Sequence, residues 1–284
     1  MAVTLDTAEL RAALAAADRV AVVGDTHGDI QWHRVLVNRL VGDLGIRVLL
    51  HLGDLGIGPW PGETRDKMLW RLDEDLARRG AWLLLTGGNH ERWPTIDAAP
   101  RDDLGFAVLG RSGRVRVFDR PHVVEIGGRA VASLGGAFSV DWHRRVAQRS
   151  WWPEQELVTV DQVASLAKLV DALPTGRADV LLSHEAPSGL DLRAHMDLGH
   201  ADAAIAGEQR RLVRRALERC RPARAYAGHW HQHLEQDLRL EDGTMTRCRV
   251  LNLEHHVNNA WILDLATLGD ENAMTAWQQW AARQ

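Results

Sequence analysis

Three short apolar segments, each closed by glycine, alternate with segments of helical spacing in the N-terminal third of the chain. The apolar segments cover residues 19–24, 47–52 and 81–86. Runs of this length rich in Val and Leu are typical of buried strands, and residues 30–41 and 64–79 between them have the periodicity of helices. A short helix is predicted over 8–17. Strands and helices that alternate in this way predict an α/β fold built on a parallel sheet.

The rest of the chain predicts a second, more antiparallel set of strands. Residues 107–135 contain three β-rich runs around Gly127-Gly128, a pattern typical of hairpins. The remaining strands are predicted over 178–183, 224–228, 233–241, 246–253 and 260–265, the last three as antiparallel strands. The remaining helices are predicted over 160–173, 202–219 and the last fifteen residues. Neither a repeat nor a linker is evident, so we expect a single domain over 1–284, with the motifs within 19–231 and the final strands and helix in 232–284.

Composition excludes several classes of protein. The 284 residues carry a formal net charge of −4, with 45% hydrophobic and 25% charged residues, as in soluble globular proteins. The sequence contains no run of 18 apolar residues, so no membrane-spanning helix is predicted. Cys220 and Cys248 are the only cysteines, which excludes a disulfide framework and a four-thiolate zinc site. Residues 1–18 do not resemble a signal peptide, because charged residues interrupt the apolar stretch. We therefore expect a cytoplasmic protein without a membrane partner.

Polar side chains with metal-binding atoms follow five of the predicted strands. They are Asp25, His27, Asp54, Asn89, His184, His229 and His231. The carboxyl ends of strands form the ligand crevice of an open α/β sheet, so we expect these side chains to converge. One divalent ion cannot coordinate seven protein ligands and still bind substrate, but two ions bridged by a carboxylate can. Mixed carboxylate and imidazole donors favour Mn, Fe, Zn, Ni or Co over Ca.

Two of these motifs, Asp25-Thr26-His27 and His229-Trp230-His231, have the form X-x-X. On an extended chain, alternate residues point the same way. Extended backbone is therefore expected to let each motif present two donors to one site.

The order of the motifs resembles that of the calcineurin-like metallophosphoesterase superfamily. The similarity rests on Asp-x-His, Gly-Asp-x-x-Gly, Gly-Asn-His-Glu, a later His and Gly-His-x-His, spread over residues 19–231. It implies a four-layer α-β-β-α sandwich, with two mixed sheets flanked by helices and a two-metal site between them. It also implies that Asp25, His27 and His231 hold one ion, that Asn89, His184 and His229 hold the other, and that Asp54 bridges them. Manganese is the ion expected to serve in vitro, with Fe, Zn, Ni or Mg as alternatives.

The resemblance further implies a metal-dependent phosphoric-ester hydrolase. Two cations in such a site lower the pKa of a shared water, and the bridging hydroxide attacks phosphorus in line. His90 resembles the histidine that stabilises the transition state or protonates the leaving oxygen. Glu91 is expected to bond to the imidazole of His90 and to orient it. The predicted catalytic residues are therefore His90, Glu91 and Asp54.

The substrate is less constrained. Gly-Asn-His-Glu favours a phosphomonoesterase resembling phosphoprotein or nucleotide phosphatases, and a small phosphodiester is the alternative. Enzymes of that branch continue the second motif into Asp-Arg-Gly, whose arginine binds phosphate, whereas the segment that follows Asp54 has no arginine. Arg92, Arg144 and Arg145 are the candidates to replace it, because guanidinium groups match phosphate oxygens.

Two other functions stay open at this point. A nuclease or cyclic-nucleotide phosphodiesterase would use the arginine-rich helix 202–219 and Trp151-Trp152, although a solvated helix face is the favoured interpretation of those arginines. A non-catalytic protein-interaction scaffold is the alternative from another class. The native metals, the oligomeric state and the pathway are not determined by the sequence.

Overall fold

Two mixed β-sheets lie face to face in the computed structural model, which describes residues 7–57, 62–193 and 198–284. The strands, in chain order, are β1 (Arg19–Val23), β2 (Val48–His51), β3 (Trp82–Leu85), β4 (Ala107–Leu109), β5 (Val115–Val117), β6 (His122–Ile126), β7 (Arg129–Leu134), β8 (Val180–Ser183), β9 (Arg224–Ala227), β10 (Leu234–Arg239), β11 (Met245–Val250), β12 (Ala260–Asp264) and β13 (Asp270–Asn272). The predicted strands are thus present, within a few residues at each end, and β4 and β13 were not individually anticipated.

The helices flank the two sheets. They are α1 (Ala8–Ala15), α2 (Ile30–Leu36), α3 (Gly62–Arg78), α4 (Trp93–Asp97), α5 (Pro153–Glu156), α6 (Val160–Asp171), α7 (His200–Cys220) and α8 (Ala273–Ala281). The predicted helix 30–41 changes type at its middle, since α2 continues as a π-helical segment over Val37–Asp43. None of the helices in the described ranges is long and apolar enough to cross a lipid bilayer.

Both sheets have a parallel centre and antiparallel edges. The strand order of the first sheet is β13-β12-β1-β2-β3-β5-β4, and that of the second is β10-β11-β9-β8-β7-β6. The last three predicted strands do not form one antiparallel unit. Strand β10 pairs antiparallel with β11, but β11 runs parallel to β9. Strand β12 joins the other sheet, antiparallel to β1, and so crosses from one layer to the next.

Three hydrophobic clusters separate four layers of secondary structure. Alternate residues of β1 divide between two of them: Val20 and Val22 face the second sheet, whereas Ala21 and Val23 face the helices outside the first. This division follows from the two-residue period of a strand. The third cluster joins α6 and α7 to the outer face of the second sheet. The predicted α-β-β-α sandwich is therefore confirmed.

The loops after β1, β2 and β3 meet the loops after β8 and β9 at one end of the sandwich. His184, which follows β8 in the second sheet, lies with its Nδ1 atom 2.7 Å from the carbonyl oxygen of Leu52, which follows β2 in the first. The carboxyl ends of the central strands of both sheets thus share one crevice, as expected for an α/β fold.

A buried ion pair anchors the far edge of the first sheet. Arg116 on β5 donates from Nε to the Asp102 carboxylate at 2.9 Å, and both side chains are almost completely buried. The other oxygen of Asp102 accepts the backbone N–H groups of Leu104 and Phe106 at 3.0 Å each. Removing the carboxylate would leave a buried guanidinium without its charge partner.

We predict that Asp102→Ala lowers the free energy of unfolding by about 3–5 kcal/mol, the usual cost of removing one partner of a buried pair. Urea denaturation measures this change. The matched control is Asp103→Ala, which removes an exposed carboxylate paired with Arg11 and should lower the free energy of unfolding far less, because solvent screens an exposed pair. Equal losses for the two variants would contradict the assignment.

Candidate metal centre

The polar side chains of the five sequence motifs converge on one cavity of about 340 Å³ between the sheets. The motif residues that line it are His27, Asp54, Asn89, His90, His229 and His231. Asp25 and His184 lie fully buried beneath them. The sequence prediction that these residues cluster is therefore confirmed in space, while their roles as metal ligands stay a prediction.

Two groups of possible ligands share the carboxylate of Asp25. Asp25, His27 and His231 place ligand atoms within 4.8 Å of one another, and so do Asp25, Asp54 and His184. Asp54 belongs to the second group and lies between His27 and His184, with Oδ2 3.6 Å from Nε2 of His27 and Oδ1 3.4 Å from Nε2 of His184. A carboxylate in this position has one oxygen for each side, which is the arrangement that a bridging ligand requires.

Asn89 and His229 complete the cluster. Oδ1 of Asn89 is 2.8 Å from Nε2 of His184, and its Nδ2 donates to the hydroxyl of Ser139 at 3.0 Å. The bond to Ser139 fixes the amide so that its oxygen faces the cluster. The ring centroid of His229 is 5.1 Å from that of His184. All seven predicted donors are thus gathered at one cavity.

Hydrogen bonds on the outer nitrogens set the orientation of two imidazoles. Because a carbonyl only accepts, Nδ1 of His184 carries the proton that it donates to Leu52, and a neutral ring then presents the lone pair of Nε2 to the cluster. Nδ1 of His27 donates in the same way to Glu254, 2.9 Å away. Partners of this kind are the usual support of metal-binding histidines. Glu254 was missed because it lies beyond the motifs, in the segment between β11 and β12.

The backbone of the cluster is in an unusual conformation. His27, Asp54, His229 and His231 have φ angles of 41°, 53°, 66° and 49°. The expectation that the two X-x-X motifs are extended is therefore wrong, since both turn through the left-handed region. This conformation costs about 1–3 kcal/mol for each non-glycine residue and concentrates at functional sites.

The surrounding structure holds these turns in place. The backbone N–H of His229 donates to the carboxylate of Asp25 at 3.1 Å, and that of His27 donates to the carbonyl of Asp54 at 2.8 Å. Gly228 has no side chain at a point where a Cβ would overlap the Asp25 carboxylate. The close approach of backbone and carboxylate therefore requires glycine at this position.

Glu91 supports the backbone of this site and does not orient His90 as predicted. Its buried carboxylate accepts the backbone N–H groups of Gly88, of Asp54 at 3.0 Å and of Gly56 at 3.4 Å. Burial and the negative charge of Asp54 raise the pKa of Glu91 to about 7. Glu91 thus ties the loop after β3 to the loop after β2 and fixes the position of Asp54.

His90 lies on the cavity wall, beside a carboxylate that was not predicted. Its backbone N–H donates to Oδ1 of Asp54 at 2.8 Å, while Nε2 of its ring is 3.9 Å from Oδ1 of Asp141. Burial lowers the pKa of His90, and the positive charge of Arg145 lowers it further. The carboxylates of Asp54 and Asp141 act in the opposite direction, but the net pKa is still lowered. The side chain in position to orient His90 is therefore Asp141, which comes from the loop after β7.

The three arginines predicted to bind phosphate do not line the cavity. Arg92 and Arg144 are exposed, and the backbone N–H of Arg92 bonds to the carbonyl of Ile57. Arg145 is closer, but its side chain is only 6% exposed, and its Nη1 lies 3.7 Å from Oδ1 of Asp141. Nε of Arg145 donates to the carbonyl of Ser150 at 2.7 Å. It supports the Asp141 loop, so none of the three is placed for direct contact with a phosphate in the described cavity.

Most of the residues considered for nucleic-acid binding are engaged within the protein itself. Trp152 is a core residue, and Trp151 stacks on Trp142 with ring centroids 5.4 Å apart. On α7, Arg214 pairs with Glu218 at 2.7 Å, and Arg210 donates to backbone carbonyls. The exposed arginines of the helix are Arg211, Arg215 and Arg219, the first of which pairs with Glu208.

The buried carboxylates dominate the electrostatics of the cluster. Burial alone would raise the pKa of Asp54, but His184 and His90 outweigh it and hold this pKa well below its usual range. Burial disfavours the charged form of His27 and His184 as well, yet the carboxylates raise the pKa of His27 to about 11 and that of His184 to about 10. In the absence of a metal, protonated His27 and His184 therefore balance the negative charge of the buried carboxylates.

The comparisons with known proteins agree with this geometry. The family model described as calcineurin-like phosphoesterase matches residues 18–233. The chain belongs to this family. No curated protein matches the sequence.

Solved structures share the fold at low sequence identity. A protein from Thermus thermophilus has a TM-score of 0.56 at 13% identity, with 90% of this chain and 99% of that chain covered. A dimetal phosphatase from Danio rerio has a TM-score of 0.50 at 12% identity, with 88% and 93% covered. At these identities the similarity concerns the fold.

We predict opposite charge states for neighbouring histidines in protein freed of metal with a chelator. At pH 8, His27 and His184 should be protonated, because their pKa values lie above that pH. His229 should be neutral, because burial and the charge of His184 lower its pKa to about 3, and the buried control His33 should be neutral, with a pKa of about 4. Ring ¹⁵N chemical shifts report these states, and titration of His27 near pH 6.5 would contradict the prediction.

Proposed function

We propose that the protein is a metal-dependent phosphoric-ester hydrolase with a two-ion site. The observation that carries this proposal is the convergence of seven oxygen and nitrogen donors at one cavity, two of which are buried carboxylates. Membership of a phosphoesterase family supports the same conclusion. The donor set fits first-row divalent ions, since it combines carboxylate, amide and imidazole and has no thiolate.

The ligands divide as the motifs suggest. Asp25, His27 and His231 would hold one ion, and Asn89, His184 and His229 the other, with Asp54 between them. Mn is the ion proposed to support activity in vitro, with Fe, Zn, Ni or Mg as alternatives. When bound, such ions neutralise phosphate oxygens and make water a strong nucleophile at neutral pH.

The protein residues complete this chemistry. His90 stands on the cavity wall with its ring free of a strong hydrogen bond, so it can donate a proton to the leaving oxygen of an ester. Asp141 favours the charged form of that ring. Glu91 holds the backbone of Asp54, and the bonds of His27 and His184 to Glu254 and Leu52 keep the ring nitrogens aimed at the cluster. We propose a phosphomonoester as the substrate, with a small phosphodiester as the alternative.

We predict that His90→Ala lowers kcat on phenyl phosphate, whose leaving oxygen needs a proton, by about 10²–10⁴ with Mn, the usual contribution of a general acid. Metal content should stay unchanged, because His90 is outside the proposed ligand set. His143→Ala is the control, since His143 is an exposed histidine in a nearby turn. Hydrolysis that survives in His90→Ala and Asp54→Ala alike would show that the activity belongs to a contaminant.

We predict that Glu254→Ala weakens metal binding by about 10–100-fold, because it removes the acceptor that orients His27. Isothermal titration calorimetry with Mn measures the affinity directly, without reference to turnover. Glu271→Ala removes an exposed glutamate from β13 and should leave the affinity unchanged. Identical affinities for the two variants would exclude a positioning role for Glu254.

A further inference from the structure

The cavity is also lined by residues outside the sequence motifs, together with the Trp230 that stands inside one of them. They are Val140, Asp141, Glu185, Leu198, Ala206 and Trp230. These residues come from separate elements, with Ala206 on α7 and Val140 and Asp141 in the loop after β7. Four of the six are apolar, and the set adjoins the cluster, since Glu185 lies 3.8 Å from the ring of His229. We call this set of six residues the apolar wall.

The indole of Trp230 is held rigidly in the apolar wall. Its Nε1 donates to Glu185 at 2.7 Å, and the guanidinium of Arg210 lies 5.0 Å from the ring centroid. Glu185 is 1% exposed, and it also accepts the backbone N–H of Ala186 at 2.8 Å. Because Trp230 stands between His229 and His231, its ring has a fixed position relative to any phosphate bound at the cluster. An aromatic surface fixed in advance binds an apolar group at little entropic cost.

The charges of this region disfavour a second anion. The two ionisable side chains of the apolar wall, as far as the structure describes it, are the carboxylates of Asp141 and Glu185. Oδ1 of Asp141 is buried without a hydrogen-bond partner. The described lining of the cavity contains neither arginine nor lysine, so a further phosphate or carboxylate on the substrate would lose water beside Asp141 and Glu185 without gaining a cationic partner. An uncharged hydrocarbon group would instead gain about 25 cal/mol for each Å² of apolar surface that it buries there.

We propose that the apolar wall binds the alcohol part of the substrate, and that this substrate is a phosphate monoester of an alcohol with an uncharged aryl or alkyl group. This inference rests on the proposed phosphoesterase function and narrows its substrate class. Nucleoside polyphosphates and acidic phosphopeptides are poor substrates in this proposal, because their extra negative charges face Asp141 and Glu185. Leu198, Ala206 and Trp230 are the residues that determine the preference.

The wild-type protein provides the first test. With Mn, kcat/KM for 1-naphthyl phosphate should exceed that for ADP by on the order of tenfold or more, given the apolar area of the naphthyl ring. Phosphate release measures both reactions. Hydrolysis of ADP as fast as 1-naphthyl phosphate would overturn the substrate class while leaving the phosphoesterase function intact. Failure to hydrolyse any ester would instead count against the proposed function.

Variants of α7 provide the second test. Ala206→Leu adds bulk to the apolar wall without disfavouring the helix, so KM for 1-naphthyl phosphate should rise about tenfold while kcat/KM for ethyl phosphate stays within about twofold. Ala204→Leu makes the same change at an exposed position of the same helix and should alter neither value. An equal effect of Ala206→Leu on both esters, or no effect on either, would overturn the proposal.

Binding without turnover gives an independent measurement. Calorimetry with 1-naphthylphosphonate, which cannot be hydrolysed at its P–C bond, should show about tenfold weaker binding to Ala206→Leu than to wild type. Leu198→Ala removes apolar surface from the same wall and should weaken binding of this ligand several-fold, with the circular dichroism spectrum unchanged. Affinities that do not change in either variant would show that the naphthyl group lies elsewhere.

Discussion

Two completely buried carboxylates, Asp25 and Asp54, are the constraint on which the rest of the site depends. Burying a charged group costs free energy unless the group is paired and hydrogen-bonded. The neighbouring residues supply these pairs and hydrogen bonds. The backbone N–H groups of His229 and His90 donate to these carboxylates, and His231 and His184 lie within 3.2 and 3.4 Å of them. The left-handed turns are the backbone conformation that lets these groups approach. The same negative charge would favour binding of divalent cations once the histidines lose their protons.

The sequence was sufficient to locate the candidate site because its polar residues follow strands. Five apolar runs end in Asp, Asn or His, and the topology of an α/β sheet brings such ends together without any knowledge of the side-chain contacts. The contacts that the sequence could not supply lie far away in the chain. Glu254 reaches His27, and Asn259 donates to the carbonyl of Asp25 at 3.0 Å. Neither has a motif, since any acceptor or donor at the right place in space would serve. Glu91 was expected to bond to its sequence neighbour His90, but its carboxylate accepts backbone N–H groups of Asp54 and Gly56, which only the folded structure brings near it.

The limits of the fold prediction have a similar cause. Apolar periodicity identified most strands, because burial on both faces leaves a clear signal in runs such as Val48–His51. Which strands pair with each other depends instead on contacts between residues that are distant in the sequence. Nothing in residues 260–265 indicates that β12 leaves its sequence neighbours and lies beside β1. The π-helical segment over Val37–Asp43 was also invisible, since it keeps the apolar spacing of an ordinary helix to within one residue per turn.

The position of β12 means that the segment containing the five motifs is not an autonomous unit. A shortened polypeptide that stopped at residue 233 would keep all seven donors and still lose the neighbour of β1 in the first sheet. It would present an open strand edge to solvent, which invites association with other chains. It would also lack the amide of Asn259, which steadies the turn that carries Asp25, and Trp32 would lose the acceptor of its indole N–H. Engineering that transplants this candidate site into another scaffold would therefore have to include β12.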